Sequence, residues 1–316
     1  MAARERRNQT CAPIAQALRR YVNINGRQLV GLLEEIAFYL GAIRLIQHLR
    51  ACGLPLCRPA VLPQEARDCQ MQGSYNLNLA LRMAPLPKSR DLGQEIVLND
   101  VNFSDEGRIF ILTGPNRGGK TTYTQAVGLA QVMMQTGLFV PSKQAAMSPV
   151  DAIYTHFAVE ERPDQEAGRL GEEAMRLSRI FDEATRYSLL LFNESLASTS
   201  ASESFYLARD VVRVVRLLGA RAIFSTHLHE LAADIDSINS ETEGDSKVIS
   251  LVSMVSIEDS PDGDRVRRTY HIVPSPPMGR SYAREIAVRY GISFEQLKEQ
   301  LSARKQIPNG SEPDND

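Results

Sequence analysis

With 316 residues, 43% of them hydrophobic, the chain can form one large or two modest domains with a sizeable core. Its 36 basic residues against 38 acidic leave a net charge of −2 and a pI near 6.3, so no overall basic field advertises nucleic acid, and DNA contact would need a local patch. No apolar run reaches the roughly 18 residues of a membrane span, no apolar signal core follows the charged N-terminus, and the cysteines at 11, 52, 57 and 69 lack zinc spacing, so a cytoplasmic protein with reduced thiols is expected.

Residues 1–24 mix charges without a clear period and read as a frayed end or a cut through something larger. Leu29, Leu33, Ile36, Leu40 and Ile43 then recur at spacings of four and three, and Ile46 and Leu49 continue the face. That predicts one helix of about 25 residues, stopped by Gly53 and Pro55. It is either a core helix or a lever joining this domain to another. Residues 54–74 read as loop, with Pro55, Pro59 and Pro63. The alternation Asn76-Leu77-Asn78-Leu79-Ala80-Leu81 predicts a half-buried strand, and residues 96–103 a second.

Ile109–Leu112 is an apolar run suited to a buried strand, and after Thr113 the eight residues Gly114-Pro115-Asn116-Arg117-Gly118-Gly119-Lys120-Thr121 fit G-x-x-x-x-G-K-[ST]. Glycines let backbone N–H groups approach phosphate oxygens with no Cβ in the way. A helix starting near Gly119 aims its positive end at the anion, Lys120 would reach the β- and γ-phosphates, and Thr121 would be a Mg²⁺ ligand. A strand before and a helix after (121 to about 135) argue against a plain glycine-rich turn. Further along, 151–157 reads as a strand, 160–168 as an acidic loop and 171–186 as a helix. Residues 188–192 form an unbroken apolar run, 203–218 a helix, 220–225 another buried strand, and 248–257 with 265–273 a hairpin. Helices are expected at 279–290 and 293–304, with a polar tail after them. The strand–helix alternation predicts an α/β fold with a mainly parallel sheet flanked by helices.

Two strand ends carry candidate chemistry. Leu189-Leu190-Leu191-Phe192 runs into Asn193-Glu194. In nucleotide hydrolases acids at such a place position Mg²⁺ and the attacking water. Asn193 supplies a carbonyl oxygen but no charge; Glu194 is either a solvated strand-end acid or the base that orients water, and its spacing from the loop favours the base. Ile223-Phe224-Ser225-Thr226-His227 ends the next strand, where an open α/β sheet binds ligands. His227 is a capping histidine or, in this company, a hydrogen-bond donor to the γ-phosphate or the water; His229 reads as structural or surface.

These segments together resemble the ATPase domain of the MutS family, the mismatch-repair branch of the ABC-type P-loop NTPases. Thr113-Gly-Pro-Asn-Arg-Gly-Gly-Lys-Thr-Thr122 is similar to the family's T-G-P-N-M-G-G-K-S-T, and its Pro115-Asn116 pair is more specific than the bare loop pattern. Gly137-Leu-Phe-Val-Pro141 resembles G-x-[FY]-V-P, Leu191-Phe-Asn-Glu194 stands at L-x-D-E, Thr199-Ser200 at the Thr-Ser of G-R-G-T-S, Ser225-Thr-His227 at A-T-H, and Arg280-Ser-Tyr282 at K-S-Y. The likeness runs from about 96 to about 301. An ABC-transporter motor is disfavoured, because no L-S-G-G-Q stands in the sequence.

The resemblance implies an ATP- and Mg²⁺-binding, ATP-hydrolysing domain. Gly114, Pro115, Asn116, Arg117, Gly118, Gly119, Lys120, Thr121 and Thr122 would bind the phosphates. Thr121 and Asn193 would hold the metal, Glu194 and His227 would act in catalysis, and Ile96 and Val97 would pack on adenine. It further implies a homodimer with composite ATP sites, closing helices in the dimer contact, and binding to double-stranded DNA switched by nucleotide. The implied organisation is a helical core/lever remnant at 1–74, the ATPase domain at 75–278, a dimerisation element at 279–304 and a tail at 305–316. The sequence departs from the family pattern in three places. Asn193 replaces Asp; Gly168-Arg169-Leu170-Gly171-Glu172 lacks the hydroxyl of G-R-S-T-F; and Ser195-Leu-Ala-Ser198 replaces Ile-Gly-Arg-Gly. The Phe-x-Glu wedge of the mismatch-reading domain is not among these residues. Weaker Mg²⁺ binding, and a slow or non-hydrolysing nucleotide-gated switch, are the alternatives these departures imply.

Overall fold

A computed structural model describes residues 2–157, 168–258, 265–277 and 291–304. Its centre is a six-stranded sheet made from the apolar runs. In spatial order it contains β10 (Arg265–Pro274), β9 (Val248–Glu258), β4 (Ile109–Thr113), β8 (Arg221–Ser225), β7 (Leu189–Asn193) and β6 (Ile153–Phe157). Every pair from β9 to β6 is parallel, and only the β9–β10 hairpin at the edge is antiparallel. All residues of β4, β7 and β8 are buried, as strands covered on both faces must be.

Two separate apolar cores account for that burial. One lies between the sheet, α3 (Lys120–Gln135) and a second, four-stranded sheet, in the order β1 (Ala60–Val61), β5 (Gln144–Met147), β2 (Cys69–Ser74) and β3 (Asn99–Phe103). Phe103 and Phe110 stack there, with centroids 4.1 Å apart. The other core lies under α4 (Gly168–Glu183), α5 (Ala201–Leu218), α6 (His229–Ala233) and α7 (Ile235–Glu241). The α/β P-loop architecture expected from the sequence is therefore present, with its carboxyl strand ends on one side.

Several local expectations change. The stretch 54–74, read as loop, contributes β1 and β2 to the second sheet. Asn76–Leu81, read as a strand, is the start of α2 (Leu77–Met83): Asn76 Oδ1 accepts from the Leu79 N–H at 2.9 Å, and Leu77 and Ala80, three apart, are buried. An N-cap plus an i, i+3 pair outweighs the period-two alternation. The first helix, α1, runs Ala2–Ala51, twice the expected length and including 2–24. Its last turns enter the core through Leu49, with Leu45 packed against it. Leu33, Ile36, Leu40 and Ile43 remain 63%, 51%, 50% and 49% exposed, so these four are not part of a core face among the described residues. The helix α8 (Phe294–Ala303) matches the expected closing helix, with Ser293 and Gln296 forming a capping box. The expected helix 279–290, Arg280-Ser281-Tyr282, the hairpin turn at 261–264 and most of the acidic loop lie outside the described residues.

Candidate functional site

The phosphate-type loop lies between β4 and α3. Gly114 has φ 135°, and a Cβ there would lie 2.8 Å from Ser253 Cβ on β9, so both the backbone angle and the neighbour demand glycine. Gly119, φ 95°, is the left-handed residue from which α3 starts. The loop is tied down by groups distant in sequence. Ser253 Oγ donates to Gly118 O at 2.6 Å, Arg268 Nε to Asn116 O at 2.9 Å, and Asn76 Nδ2 to Thr122 O at 2.9 Å. Arg117 is exposed, with φ 59°.

Lys120 is 4% exposed, and its Nζ donates to Gly114 O at 3.0 Å and Pro115 O at 3.2 Å. No carboxylate among the described residues pairs with it directly. Burial holds its ammonium down at about 8, against the partial opposition of the Glu194 charge. A buried cation with only carbonyl partners is poised for an anion.

The strand ends meet at this loop. Asn193 closes β7 opposite Ser225 of β8, and its Oδ1 accepts from Thr121 Oγ1 at 2.9 Å. The Glu194 N–H donates to Ser225 O at 2.8 Å, and Glu194 adopts φ 52°, which turns the chain sharply out of the strand. Its Oε1 lies 2.7 Å from His227 Nε2; that hydrogen bond, with the nearby charges of His227 and Lys120, keeps its carboxyl below the usual range despite partial burial. At neutral pH Glu194 is therefore a carboxylate, and His227 presents Nε2–H to it. The hydroxyls of Thr113 and Ser225, at the carboxyl ends of β4 and β8, are buried without a hydrogen-bond partner among the described residues.

A cavity of about 460 Å³ opens here, and it takes in Val97, Lys120, Thr121, Glu194 and Tyr270. Its walls also include Ile96, Thr122, Gly118, Gly119 and Arg117, whereas Gly114, Pro115, Asn116 and Asn193 are not among the lining residues. His227 reaches the site through Glu194. Tyr270 was not foreseen. It lies in a bulge of β10 with φ 60°, close enough that a Cβ on Gly119 would sit 3.5 Å from its ring. Asn99 of β3 fixes that bulge, donating to Tyr270 O at 3.1 Å and accepting from the Ile272 N–H at 2.7 Å. The only sequence signal was a polar residue at a strand start, which does not say what lies across from it.

Residues 110–293 of the sequence match the family model of MutS domain V. The chain belongs to the MutS family. It carries that family's P-loop ATPase domain, as the loop and strand-end segments imply. It is 33% identical over 205 residues to endonuclease MutS2 of Streptococcus uberis, covering 64% of this chain and 24% of that protein. Against endonuclease MutS2 of Thermus thermophilus it is 31% identical over 216 residues, 68% of this chain and 27% of the relative. The DNA mismatch repair protein MutS of Lactobacillus helveticus matches at 24% over 304 residues, 95% of this chain and 34% of that one. The chain thus spans about a quarter to a third of the length of these curated relatives. Among the described residues no helix is long and apolar enough to cross a membrane, and no cluster of three His, Cys, Asp or Glu side chains forms a metal cage.

Proposed function

We propose that the cavity binds ATP with Mg²⁺ and hydrolyses it, and that the bound state drives dimerisation and regulates a grip on double-stranded DNA in repair or DNA processing. The observation that carries the reading is the buried Lys120, bonded to loop carbonyls and lining the same cavity as Glu194, which His227 holds. The residues fit the implied ligands. The left-handed Gly119 and the start of α3 offer backbone N–H groups to phosphates, Lys120 supplies the fixed charge, and Val97 supplies an apolar wall for the base. Thr121 and Asn193, already joined through their side-chain oxygens, are the groups that would hold Mg²⁺, which shields phosphate charge when bound. With no carboxylate at 193, most metal affinity must come from the nucleotide. Glu194 would take the proton of the attacking water, and the His227 N–H would keep its carboxylate aimed and ionised.

One test uses the same sample for each link: a fluorescent ATP analogue titrated with Mg²⁺, sizing with and without ATP, and labelled duplex DNA titrated at several salt concentrations. The reading expects saturable nucleotide binding, a shift to dimer, and DNA affinity that falls with salt. No nucleotide binding would end it; DNA binding that ignores nucleotide would remove the regulatory part. A second reading, a switch that binds ATP and hydrolyses it hardly at all, is favoured by the neutral Thr121–Asn193 pair and by the missing hydroxyl at 168–172.

Tyr270 covers the loop from the β10 side and would stack against the base. Tyr270→Ala is expected to weaken ATP binding by about three- to tenfold, the scale of one aromatic stacking contact, while triphosphate alone binds as before. Equal losses for ATP and triphosphate would place Tyr270 on the phosphates instead.

A further inference from the structure

Glu194 leaves β7 through an unusual turn. Glu194 and Leu196 both have positive φ, 52° and 61°, and Leu196 is 2% exposed. Two left-handed non-glycine residues two positions apart persist only if their surroundings hold them. Two buried groups do so. On one side Ser195 Oγ lies 2.7 Å from His156 Nδ1 and donates to His156 O at 3.1 Å; His156 is fully buried on β6, and burial pushes its imidazole down to about 4, so it is neutral. On the other side stands Glu173, a 4% exposed acid inside α4. Its Oε2 accepts from the Leu196 N–H at 2.9 Å and from Ser198 Oγ at 3.3 Å.

Glu173 is badly placed as a purely structural residue. Among the described residues its Oε1 is buried with no hydrogen bond, and Arg169 Nε lies 3.5 Å from it, in ion-pair range but without hydrogen-bond geometry. A buried acid with half its acceptors unused costs stability, and an apolar side chain would fill the space more cheaply. What Glu173 does that no apolar residue can is accept from a backbone N–H two residues beyond Glu194.

We infer that Glu173 is a positioning residue for hydrolysis: it locks the 194–198 turn so that the Glu194 carboxylate points into the nucleotide cavity, and through Arg169 it links that turn to the first turn of α4. The inference rests on the hydrolytic reading of Glu194 given above. A displacement of α4 transmits to Glu194 through one side chain.

The test compares Glu173→Ala, Glu173→Gln and wild type. Glutamine retains an oxygen that accepts from the Leu196 N–H; alanine does not. For Glu173→Ala, kcat for Mg-ATP falls about ten- to a hundredfold, the scale of moving a catalytic group by about 1 Å, while KM stays within about twofold. Glu173→Gln recovers most of the loss. Amide hydrogen exchange adds an independent arm: exchange at Leu196 speeds up in Glu173→Ala and not in Glu173→Gln, while β4, β7 and β8 keep their protection. A kcat within twofold of wild type for Glu173→Ala overturns the inference. So does a loss of kcat accompanied by faster exchange across the central strands, which would mark simple destabilisation. Absence of turnover in wild type would instead refute the hydrolytic reading, and the Leu196 arm alone then decides whether Glu173 holds the turn: unchanged exchange there in Glu173→Ala rejects that too.

Discussion

Glu194→Gln leaves ATP affinity nearly unchanged and lowers turnover by about a hundredfold or more, the range of losing a positioned general base. The substitution keeps the side chain's shape, and its amide oxygen can still accept from His227 Nε2, now 2.7 Å from the carboxylate. The turn with φ 52° at residue 194 is held by backbone and neighbouring groups, so glutamine occupies the same place. What it lacks is basicity. Because the His227 hydrogen bond already holds the Glu194 carboxyl below its ordinary range, wild-type activity should be flat from neutral pH down to the mildly acidic region and lose the base only on stronger acidification. A quenched-flow comparison of bound and hydrolysed nucleotide separates affinity from turnover. A variant that loses binding as well would place Glu194 on the phosphates.

Lys120→Met produces the opposite pattern. It removes the one buried cation of the loop and should weaken ATP binding by about 30- to 100-fold, the roughly 2–3 kcal/mol of charge-assisted hydrogen bonds. The folded protein without nucleotide should not lose melting temperature. Burial depresses the Lys120 ammonium to about 8, so the charged form is disfavoured by folding. The sign follows directly. The cost is fully present below pH 8, shrinks as pH rises from there toward the ordinary lysine range, and is absent in the methionine variant. The same depression predicts that wild-type ATP affinity is constant below pH 8 and falls above it, as the proton that the phosphates require is lost. Calorimetric titration at pH 7 and pH 9 in buffers of different ionisation heat reads both the affinity and the proton taken up. Pairing a loss of function with unchanged or improved stability distinguishes a binding lysine from a structural one.

How much of this was readable in the sequence depended on what kind of physics fixed each feature. β4, β7 and β8 are buried along their whole length and each holds at least three consecutive apolar residues, so composition alone revealed them. The loop was equally plain, because its glycines and Lys120 are contiguous. Asn193, Glu194 and His227 could be placed because parallel strands put their ends on one side. The failures share a different cause. Asn76 reads as the polar half of an alternation until its side chain is seen capping Leu79 N–H. Tyr270 owes its position to a bulge held by Asn99, 171 residues away. Glu173 looks like any acid on an amphipathic helix; its buried bond to Leu196 belongs to tertiary contact, which no local pattern encodes. The stripe on α1 shows what periodicity leaves open: helical spacing says that a face is apolar but not what covers it, and here Leu33, Ile36, Leu40 and Ile43 lie exposed while Leu49 is buried.

The central claim is that this cavity hydrolyses ATP through Glu194. Phosphate release from Mg-ATP, followed for wild type and Glu194→Gln prepared side by side at saturating nucleotide, tests it most directly. Steady release by wild type, with release by the variant reduced about a hundredfold at equal nucleotide occupancy, is the predicted result. Equal rates from the two proteins, or none from either at full occupancy, would contradict it.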